Sequence, residues 1–159
     1  GLDYYRSISD HDLQKKAFIK QMEIASELRK PVVFHNREAD QDVIKILSEF
    51  PSVTGVAHCF SSNLETAKAF LNLGYYISFS GNLTFKNSHL PDVAKEIDLD
   101  RILIETDSPF LSPEPHRGKS NEPSRVWFVA QKLSEIFDVS LSSIEERTSK
   151  NAKTLFNFC

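Results

Sequence analysis

The 159-residue chain is poor in several things at once, and each shortage removes a class of answer. It has two cysteines, Cys59 and Cys159, too few for a disulfide framework; two thiols in a chain of this size fit a reducing, cytoplasmic setting. No run of Lys or Arg exceeds a pair, and the net charge is −3, so no broad cationic surface is on offer; any contact with nucleic acid must be local. No apolar stretch approaches the length of a membrane span, and the start lacks the pattern of a secretory signal, which argues against a membrane partner. The single methionine, Met22, lies inside a helical pattern, so Gly1 is not expected to be a natural initiator and a preceding segment is expected to have existed. What remains is ordinary globular composition, 40% hydrophobic and 26% charged, in a chain long enough for one cored domain.

The apolar pattern has a rhythm. Ser9 to Asp12 offers a capping start, after which Leu13, Ala17, Ile24 and Leu28 recur at helical spacing, with Phe18, Met22 and Ala25 on an adjoining stripe. Lys30-Pro31 stops that helix, and Val32-Val33-Phe34 then reads as a buried strand ended by His35. A helix over 40–50 follows, with Val43, Ile44 and Leu47 inward. The unit repeats: a strand over 54–57 ending at His58, a helix over about 63–73 closed by Gly74, a strand over 75–79 ending at Ser80-Gly81, and a helix around 91–97. A strand over 101–106 ends at Asp107-Ser108-Pro109. Strand starts at 32, 54, 75 and 101 are 22, 21 and 26 residues apart, the period of consecutive βα units and of a parallel sheet. A long Pro-rich loop runs to about Ser120; Asn121 then caps a helix to Phe137, and a last helix covers about 142–158. No linker divides the chain, so one domain over 1–159 is expected.

The chemistry gathers where strands end. In parallel α/β architectures the C-terminal ends of strands share one face, and active sites are built there. His35, His58 and Asp107 occupy such ends, and two imidazoles with a carboxylate are ligand types for a divalent metal. Each alone has a plainer reading: a hydrogen-bonded strand-end histidine, or an Asx-turn at Asp107. The expected sharing of one face favours the metal. Glu105 points to the same side of its strand as Asp107 and needs a partner, either Arg37 or Arg117, or else it orients a ligand. His11 and His89 are expected at exposed caps or loops, and His116 is open between loop packing and substrate contact.

Six blocks carry a resemblance in chain order: Gly1-Leu2-Asp3-Tyr4-Tyr5, Val33 through Ala39, His58-Cys59-Phe60-Ser61, Ile77 through Gly81, Glu105-Thr106-Asp107-Ser108-Pro109, and His116 through Lys119 with Asn121-Glu122-Pro123. Together they resemble the TatD family of metal-dependent deoxyribonucleases. The resemblance implies an α/β fold, the (β/α)8 TIM barrel of the metal-dependent hydrolases, of which this chain would supply about the C-terminal half. It also implies two divalent ions (Mg, Mn or Zn) and hydrolysis of DNA phosphodiesters with 3′-exonuclease character. On that resemblance His35 and His58 bind one metal, Asp107 binds the other and helps activate water, and Arg37, His116 and Arg117 lie near the substrate phosphate. The family's His-x-His strand and a Glu preceding the Gly1 segment have no counterpart here, so the missing N-terminal segment or another copy of the chain is an expected partner. Asn36 and Glu38 stand where the family usually has Ser and Asp, Ser62 replaces a common Gly, and Ser120 replaces a basic residue. Two alternatives stay open: an amidohydrolase-type enzyme acting on another ester or amide, although no strand ends in the Lys such sites often carry, and a catalytically inactive fragment.

Overall fold

The computed structural model describes residues 1–5 and 10–158. Two compact units follow each other along the chain, 1–77 and 78–159.

The first unit is three and a half βα steps. A short strand β1 (Leu2–Asp3) precedes helix α1 (His11–Leu28), strand β2 (Val32–Arg37), helix α2 (Asp40–Ser48), strand β3 (Gly55–His58), helix α3 (Leu64–Asn72) and the start of strand β4 (Tyr76–Phe79). All pairings are parallel and sequential: Leu2↔Asn36 and Asp3↔Arg37, Val32↔Gly55 through His35↔His58, then Val56↔Tyr76 and Ala57↔Ile77. The two-residue strand β1 escapes the apolar-run criterion because only one of its residues is apolar. Its pairing carries β2 past His35 to Arg37 and covers the end of that strand's edge. Val33 nevertheless stays 59% exposed.

Helix α1 starts where Asp10 accepts from the backbone N–H groups of Asp12 and Leu13; Ser9 falls outside the described residues. It ends with Arg29 in the left-handed region, whose N–H reaches back to the last turn. Of its two apolar stripes the sheet takes Phe18, Met22 and Ala25, and Leu13, Ile24 and Leu28 face outward. Phe34 explains the choice. Projecting from β2 to the helix side, it meets Phe18 at 6.2 Å, and Phe70 and Tyr75 edge-on at 5.3 and 5.5 Å. Helix α2 likewise buries Val43, Ile46 and Leu47, with Ile46 in place of the expected Ile44.

The second unit continues β4 into a 3-10 turn (Gly81–Thr84), helix α4 (Leu90–Lys95), strand β5 (Ile102–Ile104), helix α5 (Val126–Phe137) and helix α6 (Leu141–Phe156). The backbone N–H of Glu105 donates to Phe79 O, joining the end of β5 to β4. The expected cap at Asn121 is a correction: α5 begins at Val126 after a 3-10 turn at Pro123–Arg125, and Asn121 bonds the preceding loop instead. Asn151 of α6 donates Nδ2 to the carbonyls of Leu99 and Ile102, fixing the last helix to the foot of β5.

Candidate functional site

Strand alternation decides where the histidines point. Along β2, Phe34 and Asn36 are buried on the helix side, while Val33 and His35 are exposed on the other. His35 pairs in register with His58, so two imidazoles stand on neighbouring strands at the C-terminal end of the first unit's sheet. Strand β3 stops there because Cys59 turns to a φ of 48°, and Asn63 opens α3 by accepting from Thr66 N at 2.9 Å. Gly1 lets β1 close on this point; a Cβ there would lie 2.1 Å from His35 O.

A third donor joins them that strand counting missed. Asp3 Oδ2 lies 3.1 Å from His35 Nε2, and its backbone is clamped from both sides by the Gln14 amide. Asp3 ends β1 as His58 ends β3, so the strand-end rule would have found it had the two-residue strand been counted. Neutral imidazole nitrogens with a carboxylate oxygen are donors that zinc, manganese or magnesium accept, and adjacent strand ends bring them side by side. These residues fit a divalent ion in kind. Among the described residues, no group of three or more His, Cys, Asp or Glu forms a metal cluster by itself.

Loops behind the histidines are braced by a polar network in the first unit. Asp40, the first residue of α2, accepts from Asn36 Nδ2 at 2.6 Å, Ser62 Oγ at 2.8 Å and Thr66 Oγ1 at 2.9 Å, and Asn36 also donates to Ser62 Oγ at 3.1 Å. Nothing in the residue spacing suggested this cluster. Arg37 places its guanidinium 4.0 Å from the centre of the Tyr5 ring, which holds it near the strand ends. Nearby, Tyr4 donates its hydroxyl to Asp42 Oδ2 at 2.6 Å and stacks on His11 at 3.8 Å. Burial and then the Asp42 hydrogen bond push the Tyr4 phenol up to about 12, while the same bond from Tyr4 holds Asp42 below its ordinary value.

In the second unit Asp107 follows β5 at half-burial, and its carbonyl accepts from Phe110 N at 2.7 Å in a tight turn. Glu105 accepts from Ser78 Oγ at 2.6 Å. Arg117, one partner expected for Glu105, lies over the Phe85 ring at 3.7 Å. His116 packs edge-on against Phe128 at 5.0 Å. The structure thus pairs His35 with His58 in register and sets Asp3 against His35 in one unit, and places Asp107, Glu105, His116 and Arg117 in the other.

The model of the TatD related DNase family matches residues 1–157. YabD of Bacillus subtilis, named an uncharacterized metal-dependent hydrolase, is 45% identical over 159 residues, covering 98% of this chain and 62% of the relative. YcfH of Escherichia coli K12, with the same description, is 45% identical over 161 residues, 99% of this chain and 60% of the relative. The crystal structure of YjjV, a TatD homolog from Escherichia coli K12, superposes with a TM-score of 0.93 at 28% identity, over 100% of this chain and 62% of that one. The chain therefore spans about three fifths of the length of the relatives it matches. A family match over almost every residue, together with so close a superposition, settles the relationship: this chain belongs to the TatD related DNase family and has its α/β fold, that of the (β/α)8 TIM-barrel metal-dependent hydrolases.

Proposed function

We propose that the protein carrying this chain is a divalent-metal-dependent phosphodiesterase that hydrolyses DNA, releasing nucleotides from a 3′ end. The observation that carries this is the His35↔His58 register at the ends of parallel strands, with the Asp3 carboxylate on His35. Imidazoles here bind without neutralising a cation, leaving its charge for the phosphate. The names of the relatives, metal-dependent hydrolases within a DNase family, support the same reading. The charge of −3 is compatible with it: a chain without a basic surface can hold a phosphodiester if ions and a few loop cations supply the positive charge.

His35 and His58 would hold one ion and Asp107 a second. A bound divalent ion supplies an acidified water near neutral pH and stabilises charge on phosphate oxygens. Asp107 takes the proton of the attacking water. Arg37, held by Tyr5, and Arg117, held by Phe85, orient the phosphate with His116. None of the described strands ends in Lys, so the carboxylated-lysine chemistry of amide- and lactone-cleaving relatives has no anchor here.

The test is calorimetric titration with Mn²⁺, followed by cleavage of a 3′-labelled single-stranded oligodeoxynucleotide. His58→Ala should weaken Mn²⁺ binding and reduce cleavage by more than the roughly hundredfold that loss of an outer metal partner costs. It should leave the unfolding transition in place. Undiminished cleavage by His58→Ala would remove this histidine from the mechanism; absence of any metal-stimulated cleavage by the unaltered protein would remove the activity.

A further inference from the structure

We infer that Phe110 is a stacking platform for the terminal base of a single-stranded DNA substrate, an inference that rests on the proposed nuclease activity. Phe110 is 69% exposed, the most exposed of the large apolar side chains among the described residues. It stands three residues beyond Asp107, in a loop whose backbone is anything but loose. Phe110 N donates to Asp107 O at 2.7 Å. Asn121 holds the same loop twice, its N–H donating to Pro109 O at 2.9 Å and its Nδ2 to Phe110 O at 2.8 Å. Asn121 is itself buried, at 6% exposure, so the clamp is shielded from competing water.

The far side of the loop is fixed as firmly. Leu111 adopts a φ of 52°, and its carbonyl lies where a Cβ on Gly81 would sit 1.9 Å away. Ser112, also buried, accepts from Arg125 at 2.7 Å, and the same guanidinium donates to Ser120 O at 2.6 Å. The result is a frame in which every neighbour is tied down while one aromatic ring faces water. A lone exposed aromatic is ordinary at a protein surface; what sets this ring apart is that it is held outward on a braced turn three residues from Asp107, where it offers a flat apolar face.

A nucleobase is such a surface. Aromatic side chains stack on any base because every base has a π face, and the contact tolerates sequence. Within a duplex both faces of each base are already stacked, so a ring at this position can engage only an unpaired or terminal base. Its position next to Asp107 selects the base flanking the phosphate to be cleaved. Arg117 and Lys119, exposed in the same loop region, supply charge for the adjoining backbone.

The experiment compares the Mn²⁺-loaded protein with Phe110→Ala and Phe110→Tyr on two single-stranded oligothymidylates, one complete and one with a 3′-terminal abasic residue. For the complete oligomer, Phe110→Ala should raise KM about tenfold, the loss of one stacked base, with kcat within about twofold. The abasic oligomer should show little KM change, and Phe110→Tyr should restore the native KM. A second reading needs no turnover: Phe110→Trp in a Trp127→Phe background should lose fluorescence when metal-free protein meets the complete oligomer, and not with the abasic one. If the unaltered protein cleaves both oligomers and Phe110→Ala matches it on both, the inference is overturned and the nuclease reading stands. If the unaltered protein cleaves neither, the nuclease reading fails, and absence of quenching overturns the inference with it. A Phe110→Ala protein that unfolds is replaced by Phe110→Leu, for which the same KM comparison decides.

Discussion

Asp40 ties three segments of the first unit together, and Asp40→Ala should show how much they depend on it. The carboxylate accepts from Asn36 on β2, from Ser62 in the loop after His58, and from Thr66 on α3. Asn36 and Thr66 are buried, so their donors cannot turn to water when the acceptor goes. An unsatisfied buried donor costs about 1–3 kcal/mol. Thr66 loses least, because a threonine hydroxyl can swing to the carbonyl one turn earlier in its helix. Asn36 keeps its weaker bond to Ser62. Half-burial of Asp40 lets some water into the gap, which trims the total. The sum is a loss of roughly 2–4 kcal/mol. With a urea m-value of about 1.5 kcal/mol/M for a chain of this size, the midpoint should fall by about 1.3–2.7 M at unchanged m. Asp40→Asn keeps an acceptor oxygen and should cost about half as much. The network braces the segments that follow His35 and His58, so Asp40→Ala should also weaken Mn²⁺ binding. Val43→Ala, a cavity in the neighbouring helix of comparable cost, should not. A loss below about 1 kcal/mol, or equal costs for Ala and Asn, would show that water satisfies these donors and that the network holds nothing in place.

Three further perturbations follow from individual groups. The Tyr4 phenol, raised to about 12 when folded against an ordinary 10, contributes stability that is present below pH 10 and lost as pH rises from 10 to 12. Tyr75 adds to the same alkaline loss, because burial pushes its phenol to about 12. Tyr4→Phe should therefore flatten the pH dependence of the urea midpoint above pH 10 and let Asp42 titrate closer to its ordinary 3.8, read by carboxyl NMR; an unchanged slope would contradict the Tyr4–Asp42 bond. Glu38 sits at a φ of 54°, where a side chain other than Gly or Asn is strained, so Glu38→Gly should raise stability by about 0.5–1 kcal/mol in chemical denaturation; a loss would mean the Glu38 side chain makes up for the strain. Asn36→Ser and Ser62→Gly should each destabilise, and together cost less than the sum of the two, as a double-mutant cycle would register; strict additivity would deny their contact.

Much of the site was legible because parallel α/β chains have a grammar: an apolar run, then a polar residue where the strand delivers it. His58 follows that rule and His35 ends the apolar run two residues before its strand does; their pairing in register is what consecutive βα units produce. The rule failed where its signal was too short or doubled. Leu2–Asp3 is a strand only because Asn36 and Arg37 pair with it, a fact held thirty residues away. In α1 two apolar stripes competed, and periodicity cannot choose between them; Phe34, another element's side chain, chose Phe18, Met22 and Ala25. Asn121 has the residue type of a helix cap, and it was taken for one. Its actual partners, Pro109 and Phe110, lie on the N-terminal side in a loop whose shape no local pattern encodes.

The departures from the family pattern gain sense from the same geometry. Asn36 and Ser62, read separately, are two substitutions in two blocks, each standing where the family usually has something smaller. In the structure they touch, and both donate to Asp40. A serine at 36 has a shorter reach, and a glycine at 62 has no hydroxyl to offer. The larger amide at 36 and the added hydroxyl at 62 therefore form a contact that neither change alone would create. The exchange has a cost, since Asn36 Oδ1 is buried with no hydrogen-bond partner among the described residues. What it secures is the path from β2 to the loop beyond β3, between the residues that follow the two histidines. Glu38 differs in kind: it keeps the left-handed backbone that an aspartate tolerates better, so it adds strain without a contact that explains it. Two of the departures thus tie together the segments that follow the histidine pair, and one loads the turn beside it.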